Sequence, residues 1–372
     1  MIELRGLNKP HKIFADYIEY EALEQFRSAM EQPFVVRGAL MPDAHTGYSL
    51  PIGAVVATEG VVVPAWVGYD IGCGMCAIAT CFDVDEVKAN AQKIFREIYS
   101  RIPVGFNHMI HDVTWIDHPV STSAAKAIFD KNGLKQLGTL GGGNHFIEVG
   151  YDHDDLVWII IHSGSRNVGH SIATHYMKLA SGTNKAKEGH YGFDVESDNG
   201  KDYIKDLKFC QQFALENRKQ MIFKVEKALQ QYVDGFVLDP TLINRNHNHA
   251  EEKDGLWIHR KGATHAEEGM MGVIPGNMRD GSFIVQGKGN PDSLYSSSHG
   301  AGRVLGRRQA KETLDFDEFE TTMKNAGVVA RVQTSTLDEA PMAYKNIFEV
   351  MDFQKDLVDV VRHVKPILNI KG

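Results

Sequence analysis

The chain has 372 residues, 43% hydrophobic and 24% charged, which fits a globular protein with a sizeable core and excludes a disordered or low-complexity chain. Its formal charge of −8 excludes nonspecific coating of nucleic acid, so any such contact needs a local basic surface. The four cysteines (Cys73, Cys76, Cys81, Cys210) make no disulfide framework, and no apolar run nears the ~18 residues of a membrane span; with no signal peptide, a cytoplasmic protein is expected.

Taken in chain order, the polar segment Asp16–Met30 has helical spacing, and the apolar β-branched runs Ile52–Ala57 and Val61–Val63 read as buried strands. Val87–Tyr99 predicts a second helix, and Leu156–Ile161 a buried strand. From about Asp202 to Tyr232, Ile204, Leu207, Cys210, Ala214, Met221, Val225 and Leu229 recur at helical intervals, predicting a long helix as an excursion from the main body. Between these lie Gly-rich loops carrying His, Asn, Ser and Asp, spread from residue 41 to 303 without a break in composition. A site assembled from such distant loops predicts one mixed α+β domain over residues 1–372.

Ligand-type side chains fall in tight, glycine-bearing contexts. Asp70 and Cys73 stand three residues apart in Val-Gly-Tyr-Asp-Ile-Gly-Cys-Gly-Met; His145 follows Gly-Gly-Gly-Asn; His162 ends an apolar run; His247 sits in Asn-Arg-Asn-His-Asn-His; His299 closes the set. One thiolate, one carboxylate and several imidazoles match a structural zinc site poorly and suit a catalytic divalent ion, with Mn²⁺, Fe²⁺ and Zn²⁺ all compatible. Taken singly, each histidine is more often a hydrogen-bonded core or surface residue, and Cys73 a small buried hydrophobe. The joint pattern, in loops, is what points to metal.

Nucleotide motifs are informative by absence. Gly281 to Gly289 lacks the spacing and terminal Ser/Thr of a Walker A loop, Gly300 to Gly306 is one residue off a dinucleotide fingerprint, and Lys253-Asp254-Gly255 lacks the spacer of a Lys-x-Asp-Gly nucleophile. The runs Thr139–Asn144 and His299–Arg303 could form anion-binding turns. A histidine there can bind phosphate, act as a general acid, or attack phosphorus.

Together, Met41-Pro-Asp-Ala-His45, Pro51-Ile-Gly53, Val67–Met75, Leu137–Phe146, His162-Ser-Gly-Ser-Arg166, His259-Arg-Lys-Gly-Ala263, Ile274-Pro-Gly276, Ser298-His-Gly-Ala-Gly-Arg303, Ala343-Tyr-Lys345 and Ile370-Lys-Gly372 resemble the RtcB family of RNA ligases. The resemblance spans nearly the whole chain. It implies joining of a 3′-phosphate or 2′,3′-cyclic phosphate RNA end to a 5′-hydroxyl end with GTP and Mn²⁺. By that resemblance Asp70, Cys73, His145, His162 and His247 hold two manganese ions, with Cys73 bridging, and His299 takes GMP. The nucleotide pocket would comprise Asn144, His145, Phe146, Ile147, Glu148, Asn248, Pro275, Gly276, Asn277, Met278, Ser282, His299, Gly300, Ala301, Gly302, Tyr344 and Lys371, with Glu148 and Lys371 at the guanine. Arg166 and Arg303 would meet RNA or phosphate, Arg260, Lys261, Arg307 and Arg308 are further basic candidates, and an archease-like activator is a further partner of this type. Two departures from the family stand out: Gly47-Tyr-Ser-Leu-Pro, and Pro-Gly-Asn-Met-Arg-Asp, which puts Arg279 where a glycine is usual beside the expected phosphate site. The competing readings are a metal-dependent RNA phosphoesterase, which could spare His299, and a non-ligating RNA-binding metalloprotein.

Overall fold

A computed structural model describes every residue except Met1, Glu3 and Arg5. The expected mixture of helices and sheets is present, and the helix expected from Asp16 runs Tyr20–Met30, that from Val87 runs Val84–Arg101, and the three strands lie at Ile52–Thr58, Val61–Val62 and Val157–Ser163. Asp83 caps the Val84–Arg101 helix by accepting from Asp85 N and Glu86 N, which starts it three residues earlier than its apolar spacing suggests.

The larger sheet runs, in spatial order, Met271–Pro275, Ser282–Gly287, Val358–Lys371, Phe146–Tyr151, Val157–Ser163, Gly74–Ala79 and Ile243–Asn246, with Val329–Ala330 added beside Val358–Lys371. A five-stranded sheet follows the order His11–Ile13, Val35–His45, Ile52–Thr58, Leu256–Lys261, Asn248–Lys253. The run Met41–His45, where the expected loops begin, is the end of a strand. Its buried Asp43 faces inward.

Register brings the ligand-type residues together. Gly74 pairs with Ser163 on one side and with Asn246 on the other, and Phe146 pairs with His162. Cys73, His145, His162 and His247 thus lie at the ends of four adjacent strands, and His247 N donates to Cys73 O at 2.7 Å. His247 is also the hinge between sheets, because the chain leaves one at Asn246 and enters the other at Asn248.

The long helix spans Asp198–Leu229, started by Ser197 accepting from Gly200 N. It is more than an excursion. Met221, Ile222, Val225, Ala228 and Leu229 pack with Ile147, Ile159 and Ile161 of the larger sheet, while Leu207, Phe209, Cys210 and Phe213 close a second core. Between these apolar halves stand buried Asn217 and Arg218. Arg218 donates from Nη1 to Gly72 O (3.0 Å) and Ser163 O (2.8 Å), from Nε to Asn244 Oδ1 and from Nη2 to Asn246 Oδ1. One helix side chain ties together the three strand ends that carry Cys73, His162 and His247.

Candidate active site

Two ligand groups share one sulfur. Cys73, His162 and His247 form one and Asp70, Cys73 and His145 the other, the ligand atoms of each lying within 4.8 Å of one another. Cys73 Sγ is 3.3 Å from His162 Nε2 and 3.4 Å from His145 Nε2, and His145 Nε2 is 3.0 Å from Asp70 Oδ2. His145 Nδ1 faces Leu140 O at 3.0 Å and His162 Nδ1 faces Asn144 O at 3.1 Å. A carbonyl only accepts, so each Nδ1 carries a proton and each Nε2 faces inward, as a lone pair wherever the ring is neutral. Burial holds His162 and His247 well below the ordinary histidine range, keeping them neutral. Burial, then Asp70, pushes the Cys73 thiol well up. For Asp70, burial pushes upward, but the hydrogen bond and charge of His145 prevail and hold it at about 2. Inward-facing neutral imidazoles, a carboxylate and a thiol that would lose its proton only to a cation are a donor set that fits two divalent ions. Gly164 makes this approach possible: a Cβ there would stand 2.2 Å from Asp70 Oδ1.

His299 lies beside this cluster, its ring centroid 4.8 Å from that of His247. Its Nδ1 is 2.6 Å from Asp43 Oδ2, and its backbone N donates to the same oxygen at 3.2 Å. Burial pushes Asp43 upward, but the charge and hydrogen bond of His299 together with the charges of His45 and Lys345 outweigh it, leaving the carboxyl below its ordinary value, an acceptor for the Nδ1 proton. Nε2 is then the free lone pair. Gly302 lets the following turn close on this pair; it has φ +75°, and a Cβ would stand 2.2 Å from Asp43 O.

From His299 opens a cavity of about 260 Å³, lined by Asn144, Phe146, Glu148, Pro275, Gly276, Asn277, Ser282, Gly300, Ala301, Gly302, Arg303, Tyr344 and Lys371 among others. Glu148 is buried and accepts at Oε1 from Ser282 Oγ (3.0 Å) and at Oε2 from Asn369 Nδ2 (3.0 Å). Burial raises its pKa to about 7. Asn369 Oδ1, also buried, has no partner among the described residues. Lys371 Nζ stands 2.9 Å from Glu339 Oε2 and 4.9 Å from the Phe146 ring centroid.

The expected pocket residues do not all reach this cavity. Asn248 lines an adjoining pocket with Cys73, His247 and His299, its Oδ1 accepting from Gly262 N at 2.8 Å. The side chains of Ile147 and Met278 are carried into apolar cores, Ile147 because alternate strand residues face opposite sides. His145 and Arg166 line a separate cleft with Tyr69, Asp70, Phe106 and His170, whereas Arg303 sits in the cavity against Tyr344. Arg279 does not line this cavity: its Nε pairs with Asp280 Oδ1 at 2.7 Å, and it lines another surface with Tyr151 and His363. Of the other basic candidates, Arg260 is fully buried among Glu251, Ser296 and Leu294 O, and Arg308 is exposed and pairs with Glu312. Arg307 lines the cavity, and Lys261 the adjoining pocket. Asp43, Glu339 and Asn369 are the site residues the sequence did not single out; Asp43 lies inside a quoted motif, and the others stand a few residues from Tyr344 and Lys371.

A model of the family described as tRNA-splicing ligase RtcB matches residues 25–130 and 118–372. The chain belongs to the RtcB family. It is 36% identical to the RNA-splicing ligase RtcB of Escherichia coli K12, covering 95% of each chain. It is 30% identical to the RNA-splicing ligase RtcB2 of another Escherichia coli strain, over 96% of this chain and 93% of that one. The tRNA-splicing ligase RtcB of Nanoarchaeum equitans is 28% identical, over 98% of this chain and 96% of the relative.

Proposed function

We propose that this RtcB-family protein is an RNA ligase that joins a 3′-phosphate or 2′,3′-cyclic phosphate end to a 5′-hydroxyl end, using GTP and two Mn²⁺ ions. The observation that carries it is the His299–Asp43 pair, set between a two-group ligand cluster and a cavity shaped for a purine. Asp43 holds the Nδ1 proton, so Nε2 of His299 is a nucleophile. Guanine offers N1–H and a 2-amino group as donors and O6 as acceptor. The Glu148 carboxylate and the unpartnered Asn369 Oδ1 complement the donors, and Lys371 complements O6. Adenine presents the reverse pattern at its 6-position.

The proposed sequence balances as follows. Nε2 of His299 attacks the α-phosphorus of GTP, a P–N bond forms, and the bond to pyrophosphate breaks. An oxygen of the RNA 3′-phosphate then takes GMP, breaking the P–N bond and returning the lone pair to Nε2. The 5′-hydroxyl oxygen attacks the activated 3′-phosphorus, loses its proton to solvent, and expels GMP; a cyclic end is first opened by water. Asp70, Cys73, His145, His162 and His247 would hold the ions, which when bound neutralise phosphate charge and orient the leaving oxygen. Arg303, Arg307 and Arg166 supply local positive charge on an acidic protein. The reading assigns residues 1–372 to one catalytic unit working in the cytoplasm; no helix among the described residues is long and apolar enough to cross a membrane.

The phosphoesterase alternative could spare the Asp43–His299 pair and has no use for an acceptor-lined guanine pocket. The deciding experiment uses GTP labelled at the α-phosphate with Mn²⁺. An acid-labile protein–GMP adduct is expected in the wild type and none in His299→Ala; a wild type without adduct, or an undiminished adduct in the variant, overturns the reading. Ligation with and without an archease-type protein tests the need for an activator.

A further inference from the structure

Behind the cavity wall stands a carboxylate that the ligation chemistry does not use. Glu339 ends the short helical segment Thr334–Glu339, its side chain is only 4% exposed, and it does not line the cavity. Four residues that do line the cavity end on it. Oε2 is 2.9 Å from Lys371 Nζ and accepts from Tyr344 OH at 2.6 Å; Oε1 accepts from Arg303 Nη1 at 3.2 Å and Arg307 Nη1 at 2.6 Å.

The division between the two oxygens is informative. Oε2 holds the groups expected at the purine, and Oε1 holds the two arginines on the side of His299 and the Gly300–Gly302 turn. Tyr344 spends its only proton on Glu339, so its oxygen is an acceptor for Arg303 Nη1 at 3.2 Å, and the guanidinium lies over its ring at 4.9 Å. A lysine ammonium on a four-carbon stem has no preferred direction of its own. With one N–H directed at Oε2, its remaining donors are aimed into the cavity.

We propose that Glu339 is a positioning residue for both halves of the nucleotide pocket, with Oε2 aiming Lys371 at the 6-oxo group of guanine and fixing Tyr344 beneath Arg303, and Oε1 aiming Arg303 and Arg307 at phosphate. This rests on the reading of the cavity as a GTP site. Glu339 touches no reacting atom, so its loss raises KM and relaxes base choice more than it lowers the maximal rate of adduct formation.

The test measures adduct formation by the full chain with Mn²⁺, using GTP and the triphosphate of 2-aminopurine riboside, which lacks the 6-oxo group and, with it, the N1 proton. For Glu339→Gln we expect KM for GTP to rise about 10- to 100-fold, the span of a lost charged hydrogen bond. The maximal rate should change by less than about threefold, and the preference for GTP over the 2-aminopurine analogue should fall to the level expected for Lys371→Ala, the remainder coming from the N1–H that the analogue also lacks and Glu148 would read. The double variant should then discriminate no worse than Lys371→Ala alone, because the two residues act as one unit. Full discrimination in Glu339→Gln, or additive losses in the double variant, overturns the proposal. Should Glu339→Gln not fold, Glu339→Asp keeps the charge but draws it back from its partners, and is expected to show the same loss of base preference in smaller measure; a melting temperature change without that loss overturns the proposal. A wild type that forms no adduct with GTP defeats the underlying reading instead, and so is told apart from failure of the inference.

Discussion

The ligand cluster and the cavity beside His299 are neighbours built on opposite principles. In the cluster, Nε2 lone pairs, a carboxylate and a thiol face one another, so the group is incomplete without cations. In the cavity, nearly every polar group already has a partner: Glu148 is held by Ser282 and Asn369, and Lys371, Tyr344, Arg303 and Arg307 by Glu339. The first is a site whose stability should come from its ligand. The second is preformed and needs only its last few acceptors filled.

The largest effect should break the cluster alone. Cys73→Ala removes the one atom common to both ligand groups. Adduct formation should fall below detection, and metal analysis should show fewer than two ions per chain; two stoichiometric ions would contradict the shared role. Chelation should lower the melting temperature of the wild type and of Lys371→Ala, yet leave that of Cys73→Ala unmoved, since only the cluster draws stability from ions.

Next comes the support behind the cluster. Arg218→Met leaves Gly72 O, Ser163 O, Asn244 and Asn246 without their buried donor. A destabilisation of roughly 3 kcal/mol or more is expected in denaturant unfolding, with loss of metal affinity exceeding any loss of nucleotide affinity measured on the folded fraction. Equal losses would mean that the two regions are not separately supported.

The cavity should answer to pH. Burial raises the Glu148 pKa from 4.5 to about 7. The folded chain therefore holds this proton more tightly than the unfolded one, so its contribution to stability declines as pH rises from about 4.5 and is lost above about 7. Guanine needs the carboxylate, so KM for GTP should rise as pH falls below about 7. Glu148→Gln should raise KM, flatten this dependence, and melt higher than the wild type above that pH; an unchanged pH profile would show that Glu148 does not read the base. The smallest effect is expected from Arg279→Gly. Arg279 pairs with Asp280 away from the cavity, so KM for GTP should stay within about twofold, and a larger change would place it at the phosphate after all.

The sequence by itself determined the local elements and the chemistry on offer. Apolar spacing placed three helices and three buried strands to within a few residues, because 3.6-residue and two-residue periods are written locally. The motif around Asp70 and Cys73 and the run through His299 marked the reactive side chains, since few residue types can ligate a metal or attack phosphorus. What only the tertiary structure decided was who stands beside whom. Asp43 became the partner of His299 because two strand ends meet. The long helix became the backing of the cluster because Asn217 and Arg218 interrupt its apolar face at one buried level. Glu339 came to lie behind Lys371 and Arg303, 32 and 36 residues away in the chain. Such pairings depend on sheet register and on which buried charges find partners, and neither is encoded in any short window of the chain.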